Sequence, residues 1–310
     1  MKCIRFALLI GLVFWGSRSG FAAVQSGRME KGVFQAGEHL RLRYLLATPP
    51  RPSHRIFLFV HGDGDTCAPM DVEESMRDLS RVADQDYWVL PETAHQAFCN
   101  SGGYRRLNWV HRYGETVGLI RQFRNDPRFA HFQIYMVGHS AGVDVAVRVA
   151  RDHSEELSGM VLISGMVHGL KDSTYRKLAL DGERSGASKE TIEKRIERKK
   201  QLFWLIESRC DVRRFDWLDR NNLFWCQWFQ GDNLVDLLDT PRDLPIFLMH
   251  GDEDGVIPFE ESKITYARLR REKWNVEFLP LRGMDHNAFP FPEGVTDQIS
   301  LWAGRYSRVR

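Results

Sequence analysis

The pentapeptide Gly138-His139-Ser140-Ala141-Gly142 constrains the fold more than any other feature. The apolar run Ile134-Tyr135-Met136-Val137 leads into it and Val143-Asp144-Val145-Ala146-Val147 leads out. The order is strand, sharp turn, helix. A G-x-S-x-G turn in that setting holds its serine in a strained backbone conformation, and the flanking glycines let neighbouring backbone pass close. Ser140 is then lifted clear of the sheet at a helix N-terminus, where the amide of Ala141 can donate to a developing oxyanion. A bare G-x-S-x-G arises by chance in a chain of this length with probability on the order of 0.1, so its setting and partners carry the argument.

With 43% hydrophobic and 12% aromatic residues, the 310-residue chain can bury a sizeable core. Its net charge of +2 comes from nearly balanced totals, so neither nucleic acid nor an anionic membrane is an expected partner. The densest basic run, Lys194-Arg195 with Arg198-Lys199-Lys200, is interrupted by Glu193 and Glu197 at helical spacing and reads as a solvated helix face.

Lys2 and Arg5 precede the apolar stretch Phe6 to Trp15, which gives way to Gly16-Ser17-Arg18-Ser19-Gly20. This pattern reads as a secretory signal peptide over residues 1–23, with cleavage after Ala22 or Ala23. The run is short for a bilayer span, so no stable membrane span is expected after cleavage. The expected location is a bacterial periplasm or beyond, and residues 24–310 form a single domain. Without Cys3, four cysteines remain, an even number suited to an oxidising compartment. Three connectivities exist; Cys67 with Cys99 and Cys210 with Cys226 is favoured because each pair is local.

Gly32 to Thr48 reads as a hairpin, with Leu40, Leu42 and Tyr44 alternating against Arg41 and Arg43. Short, nearly continuous apolar runs follow at Ile56–Val60, Tyr87–Leu90, Ile134–Val137, Met160–Ile163, Ile246–Met249 and Val276–Leu279. Such runs belong inside a parallel sheet covered on both faces. Helical patterns at Met70–Ala83, Tyr113–Arg124 and Val143–Arg151 alternate with them, giving an α/β, doubly wound, mostly parallel sheet. Between about 169 and 243 no strand run appears. Ser188 reads as an N-cap there, and Phe203, Trp204, Phe215, Trp217, Phe224, Trp225, Trp228 and Phe229 cluster in a helical insertion over the strand ends. Most of these aromatics read as its core; Trp225 and Trp228, with His139, are the candidates for substrate contact.

A nucleophilic serine in this setting needs an acid and a histidine, following in that order. After the run Ile246–Met249 comes His250-Gly251-Asp252-Glu253-Asp254-Gly255-Val256-Ile257-Pro258, and after Val276–Leu279 comes Gly283-Met284-Asp285-His286. From about Gly32 to Trp302 the chain resembles the α/β-hydrolase superfamily, in its serine-nucleophile branch. The resemblance of His250-Gly251 with Asp254, Ile257 and Pro258 to that superfamily's acid loop implies Asp254 as triad acid. Gly283-x-x-His286 resembles the loop carrying its histidine. His61-Gly62-Asp63 resembles the segment that supplies a second oxyanion donor, which implies the Asp63 amide beside that of Ala141. Asp63 departs from the commoner apolar residue there, so its side chain turns away, bonds locally or meets a positive group. His61 and His250 read as loop-shaping rather than catalytic.

No cofactor is expected, and no metal: there is no H-E-x-x-H, no EF-hand spacing and no C-x-x-C. The resemblance implies a serine hydrolase with a small-molecule ester or amide substrate, and a carboxylic ester stands first because the aromatic insertion suits apolar groups. A serine peptidase or aminopeptidase, a thioesterase, and a binding protein that kept the fold without the chemistry are the alternatives. Oligomeric state is not readable.

Overall fold

The structure, a computed structural model, describes residues 28–62, 85–94, 109–210, 221–286 and 294–306. The expected signal peptide, the helical pattern Met70–Ala83, and Asp63, Cys67 and Cys99 lie outside the described residues. An eight-stranded sheet forms the centre, in the order β1-β2-β4-β3-β5-β6-β7-β8. The hairpin β1 (Arg28–Gly37) and β2 (Leu40–Thr48) is antiparallel, and β2 also pairs antiparallel with β4 (Tyr87–Pro91). From β4 onward every pairing is parallel, through β3 (Arg55–Val60), β5 (Gln133–His139), β6 (Gly159–Ile163), β7 (Ile246–Gly251) and β8 (Val276–Leu281).

The continuous apolar runs are explained by the two-residue period of a strand, which sends alternate side chains to opposite faces. Ile56 and Leu58 join one core with α1 (Trp109–Asn125) and α2 (Ala141–His153). Phe57 and Phe59 join the other, beneath Ile299 and Trp302 of α8 (Val295–Arg305). Trp302 stacks on Phe247 with ring centroids 5.4 Å apart. Each such side chain, when fully buried, stabilises by roughly 1.5–3 kcal/mol.

Four helices stand between β6 and β7: α3 (Leu170–Arg184), α4 (Lys189–Glu207), α5 (Asn222–Phe229) and α6 (Asn233–Leu238). Ser188 caps α4 by accepting from the amide of Thr191 at 3.2 Å. Cys210 and Cys226 are disulfide-bonded, joining the end of α4 to α5. The segment is tied to the sheet layer by Arg176 of α3, which donates at 2.7 Å to the buried Glu261 of α7 (Glu260–Arg271). Because β5, β7 and β8 run parallel, the segments after His139, Gly251 and Leu281 emerge at one edge of the sheet. Sites in open parallel sheets lie beyond that carboxyl edge.

Candidate active site

Ser140 links β5 to α2 with φ 54° and ψ −126°, the positive φ that a side chain rarely adopts. The strain is held by neighbours: the Ser140 amide donates to Ile163 O at 2.9 Å, and Ser140 O accepts from the Val143 amide at 2.9 Å. Gly142 is required because a Cβ there would collide with the carbonyl oxygens of Val60 and His61. The hydroxyl does not cap its own helix, the usual use of a serine at an N-cap. Its Oγ lies 2.9 Å from His286 Nε2 instead.

The other ring nitrogen, Nδ1, lies 2.8 Å from Asp254 Oδ2. A carboxylate can only accept, so Nδ1 carries the proton and Nε2 presents its lone pair to the Ser140 hydroxyl. Asp254 Oδ1 accepts from the amides of Val256 and Ile257, each at 2.8 Å. Burial favours the neutral acid, but the imidazole donors His250 and His286 and the Ile257 amide outweigh it and hold Asp254 well below the usual carboxylate range. Asp252, two residues earlier, is exposed and accepts from the Gly283 amide at 2.7 Å, joining the acid loop to the histidine loop.

His139 places Nε2 2.9 Å from the carbonyl oxygen of His286 and therefore donates there. Burial pushes its pKa down to about 4, so the ring is neutral at neutral pH and pins the histidine loop to β5. Gly62 approaches from β3: a Cβ there would fall 2.9 Å from Ser140 Cβ. The segment expected to supply an oxyanion donor thus starts beside Ser140, and Ala141 is the first residue of α2; Asp63 itself lies outside the described residues.

Trp225 and Trp228 are 5% and 6% exposed and stack with centroids 5.5 Å apart. Trp228 also stacks on Trp109 of α1 at 5.0 Å, and its indole Nε1 donates to Asp144 Oδ2 at 2.6 Å. Asn233 of α6 donates to the same carboxylate and, at 2.9 Å, to Met166 O. This burial favours the packing role for both tryptophans. Trp204, from the same aromatic cluster, is 68% exposed. The Asp144 anchor was missed from sequence; its signal was a carboxylate set inside the apolar run Val143 to Val147.

Among the described residues no group of three or more His, Cys, Asp or Glu could hold a metal ion, and no helix is long and apolar enough to cross a membrane.

The chain matches no protein-family model and no curated protein. Solved structures do match. A thermostable carboxyl esterase from Bacillus coagulans superposes with TM-score 0.60 at 16% identity, over 90% of this chain and 96% of that one. An esterase from Pyrococcus furiosus gives TM-score 0.58 at 13% identity, over 91% and 92%. An acylaminoacyl peptidase from Pyrococcus horikoshii gives TM-score 0.54 at 12% identity, over 91% of this chain and 41% of that one. With its sheet order and these likenesses, the chain has the α/β-hydrolase fold.

Proposed function

We propose that this chain is a serine hydrolase that cleaves carboxylic esters through an acyl-enzyme intermediate. One observation carries the proposal: Ser140, on a strained turn, is bonded to an imidazole whose other nitrogen is bonded to a buried carboxylate, at 2.9 and 2.8 Å. Nucleophile, base and orienting acid are the parts that acyl transfer requires.

In acylation His286 Nε2 takes the Oγ proton as Oγ bonds to the carbonyl carbon, and the carbonyl π electrons move onto oxygen. The amides of Ala141 and Asp63 hold that oxyanion. Collapse expels the alcohol oxygen, which takes the proton from His286. Water then repeats the cycle, leaving the acid and free Ser140. Asp254 orients His286 and stabilises the imidazolium.

Amides form the second substrate class, favoured by the acylaminoacyl peptidase among the similar structures. We also propose export, for which the N-terminal pattern and the Cys210–Cys226 disulfide speak. The mature protein, incubated with an active-site fluorophosphonate and mapped by mass spectrometry, is expected to carry one label on Ser140 and to hydrolyse nitrophenyl esters. Labelling that persists in Ser140→Ala rejects the nucleophile; hydrolysis of aminoacyl amides alone replaces the ester by the amide.

A further inference from the structure

Asp254 holds a second imidazole besides that of His286. His250, at the end of β7, is fully buried, with Nε2 3.1 Å from Asp254 Oδ2 and 3.1 Å from the carbonyl oxygen of Ile257. Its Nδ1 lies 2.7 Å from Oγ of Ser262, a buried residue on the first turn of α7. Neither a carboxylate nor a carbonyl has a proton to give, so Nε2 bears the hydrogen. In the neutral ring Nδ1 then offers a lone pair, and the Ser262 hydroxyl donates into it. The tautomer of His250 is thereby set by the acceptors at Nε2, and the Ser262 hydroxyl of α7 braces the ring from the other side.

The acceptor count completes the picture. Oδ2 of Asp254 receives the Nδ1–H of His286 and lies 3.1 Å from Nε2 of His250, whose single N–H it shares with the carbonyl oxygen of Ile257, while Oδ1 receives two backbone amides. Shaping the loop needs only the two amides. A shared N–H this close to the oxygen that holds His286 does something more: it draws off part of the charge that the imidazolium of His286 would otherwise meet.

Resting on the triad read above, we infer that His250 and Ser262 are positioning residues that extend it into the line Ser140–His286–Asp254–His250–Ser262. Ser262 braces the ring of His250; His250 locks Asp254 in place and restrains the basicity of His286. The titratable or charged groups on the surrounding elements are His139 of β5, Asp252 and Glu253 of the acid loop, Asp285 beside His286, and Glu261 and Lys263 flanking Ser262. All stay in place when His250 or Ser262 is replaced.

The test compares His250→Phe, His250→Gln and Ser262→Ala in the mature protein, reading the titration of the His286 imidazole by NMR and the pH profile of kcat/KM on a nitrophenyl ester. In His250→Phe the His286 midpoint and the acid limb of kcat/KM move up together by about half a pH unit or more. The loss of a hydrogen bond to a charged group lowers kcat about tenfold to a hundredfold, with KM within about twofold. Glutamine keeps a donor toward Oδ2, so His250→Gln stays near the wild-type midpoint. Ser262→Ala moves it the same way as phenylalanine, by less, and decides the matter should the phenylalanine variant not fold. An unmoved His286 midpoint, with thermal stability alone reduced, overturns the inference and leaves His250 a loop support. A wild-type protein inert to esters and to fluorophosphonate removes the triad function instead, while the NMR midpoints still report whether His250 acts on His286.

Discussion

The strand-end loops and the helices between β6 and β7 use similar residue types in opposite ways. At the carboxyl edge, Ser140 and Asp254 are each held by backbone amides two or three residues on, and they meet His286 because three parallel strands end together. In α3 to α6, by contrast, the aromatics are placed by contacts far along the chain: Trp228 packs on Trp109 and bonds Asp144, while Trp204 faces solvent. In the first region a local motif presages the contacts its residues make; in the second, residue type alone says little about use.

The largest expected effect breaks the first region. Asp254→Asn leaves the fold intact by circular dichroism but lowers kcat about 10⁴-fold, because the wrong tautomer of His286 then faces Ser140. Asp252→Asn costs within about tenfold, since its carboxylate only ties Gly283 across the two loops. Steady-state rates of the pair decide: a larger loss at Asp252 would require the acid to be reassigned.

The next effect sharpens the contrast inside the helical segment. Trp228→Ala removes a buried ring from a three-tryptophan stack and leaves the Asp144 carboxylate with Asn233 as its remaining side-chain donor among the described residues, so urea unfolding should show a loss of about 3–5 kcal/mol. Trp204→Ala should stay within about 0.5 kcal/mol. A Trp228 variant of native stability that shifts the preference for ester chain length would instead place that ring in the pocket. Smaller again, opening the Cys210–Cys226 bridge by Cys226→Ser should cost about 3 kcal/mol for a loop of 16 residues and leave Ser140 labelling unchanged.

What was legible in the sequence follows the same division. The strands could be read because each is a short apolar run, and the candidate triad because each of its residues lies within a few positions of the end of one. His250 was legible as a loop residue but its bond to Asp254 was not: the acid loop folds back, and Ser262 sits a helix turn beyond it. Nor could the sequence say which tryptophans are covered, since Trp109 and Trp228 lie 119 positions apart and meet only through the packing of α1 on α5.

The smallest effect compares two buried carboxyls, one beside each region. Glu115 of α1 lines a small cavity with His61 and accepts the Ala94 amide at 3.1 Å; burial raises its pKa from 4.5 to about 7, against the lowering influence of Arg112. Asp144 lies under α5 and α6, and burial raises it from 3.8 to about 6, although Asn233, Trp228, Arg148 and Arg112 all favour its charge. Both folded-state values exceed the unfolded ones, so the folded protein binds more protons, and stability falls as pH rises from about 4 to about 7. Glu115 has one backbone donor to satisfy, which an amide oxygen can also do. Glu115→Gln should therefore flatten the fall and leave the protein more stable than wild type at pH 8, by no more than about 3 kcal/mol, with no gain at pH 4. Asp144→Asn should flatten it too, but with two side-chain donors converging on the carboxylate it leaves one without an acceptor, costing about 1–3 kcal/mol at every pH. Urea midpoints at pH 4, 6 and 8 separate the two. A parallel gain in both variants would mean that Asp144 does not join α2 to α5 and α6, and the boundary drawn between the two regions would have to move.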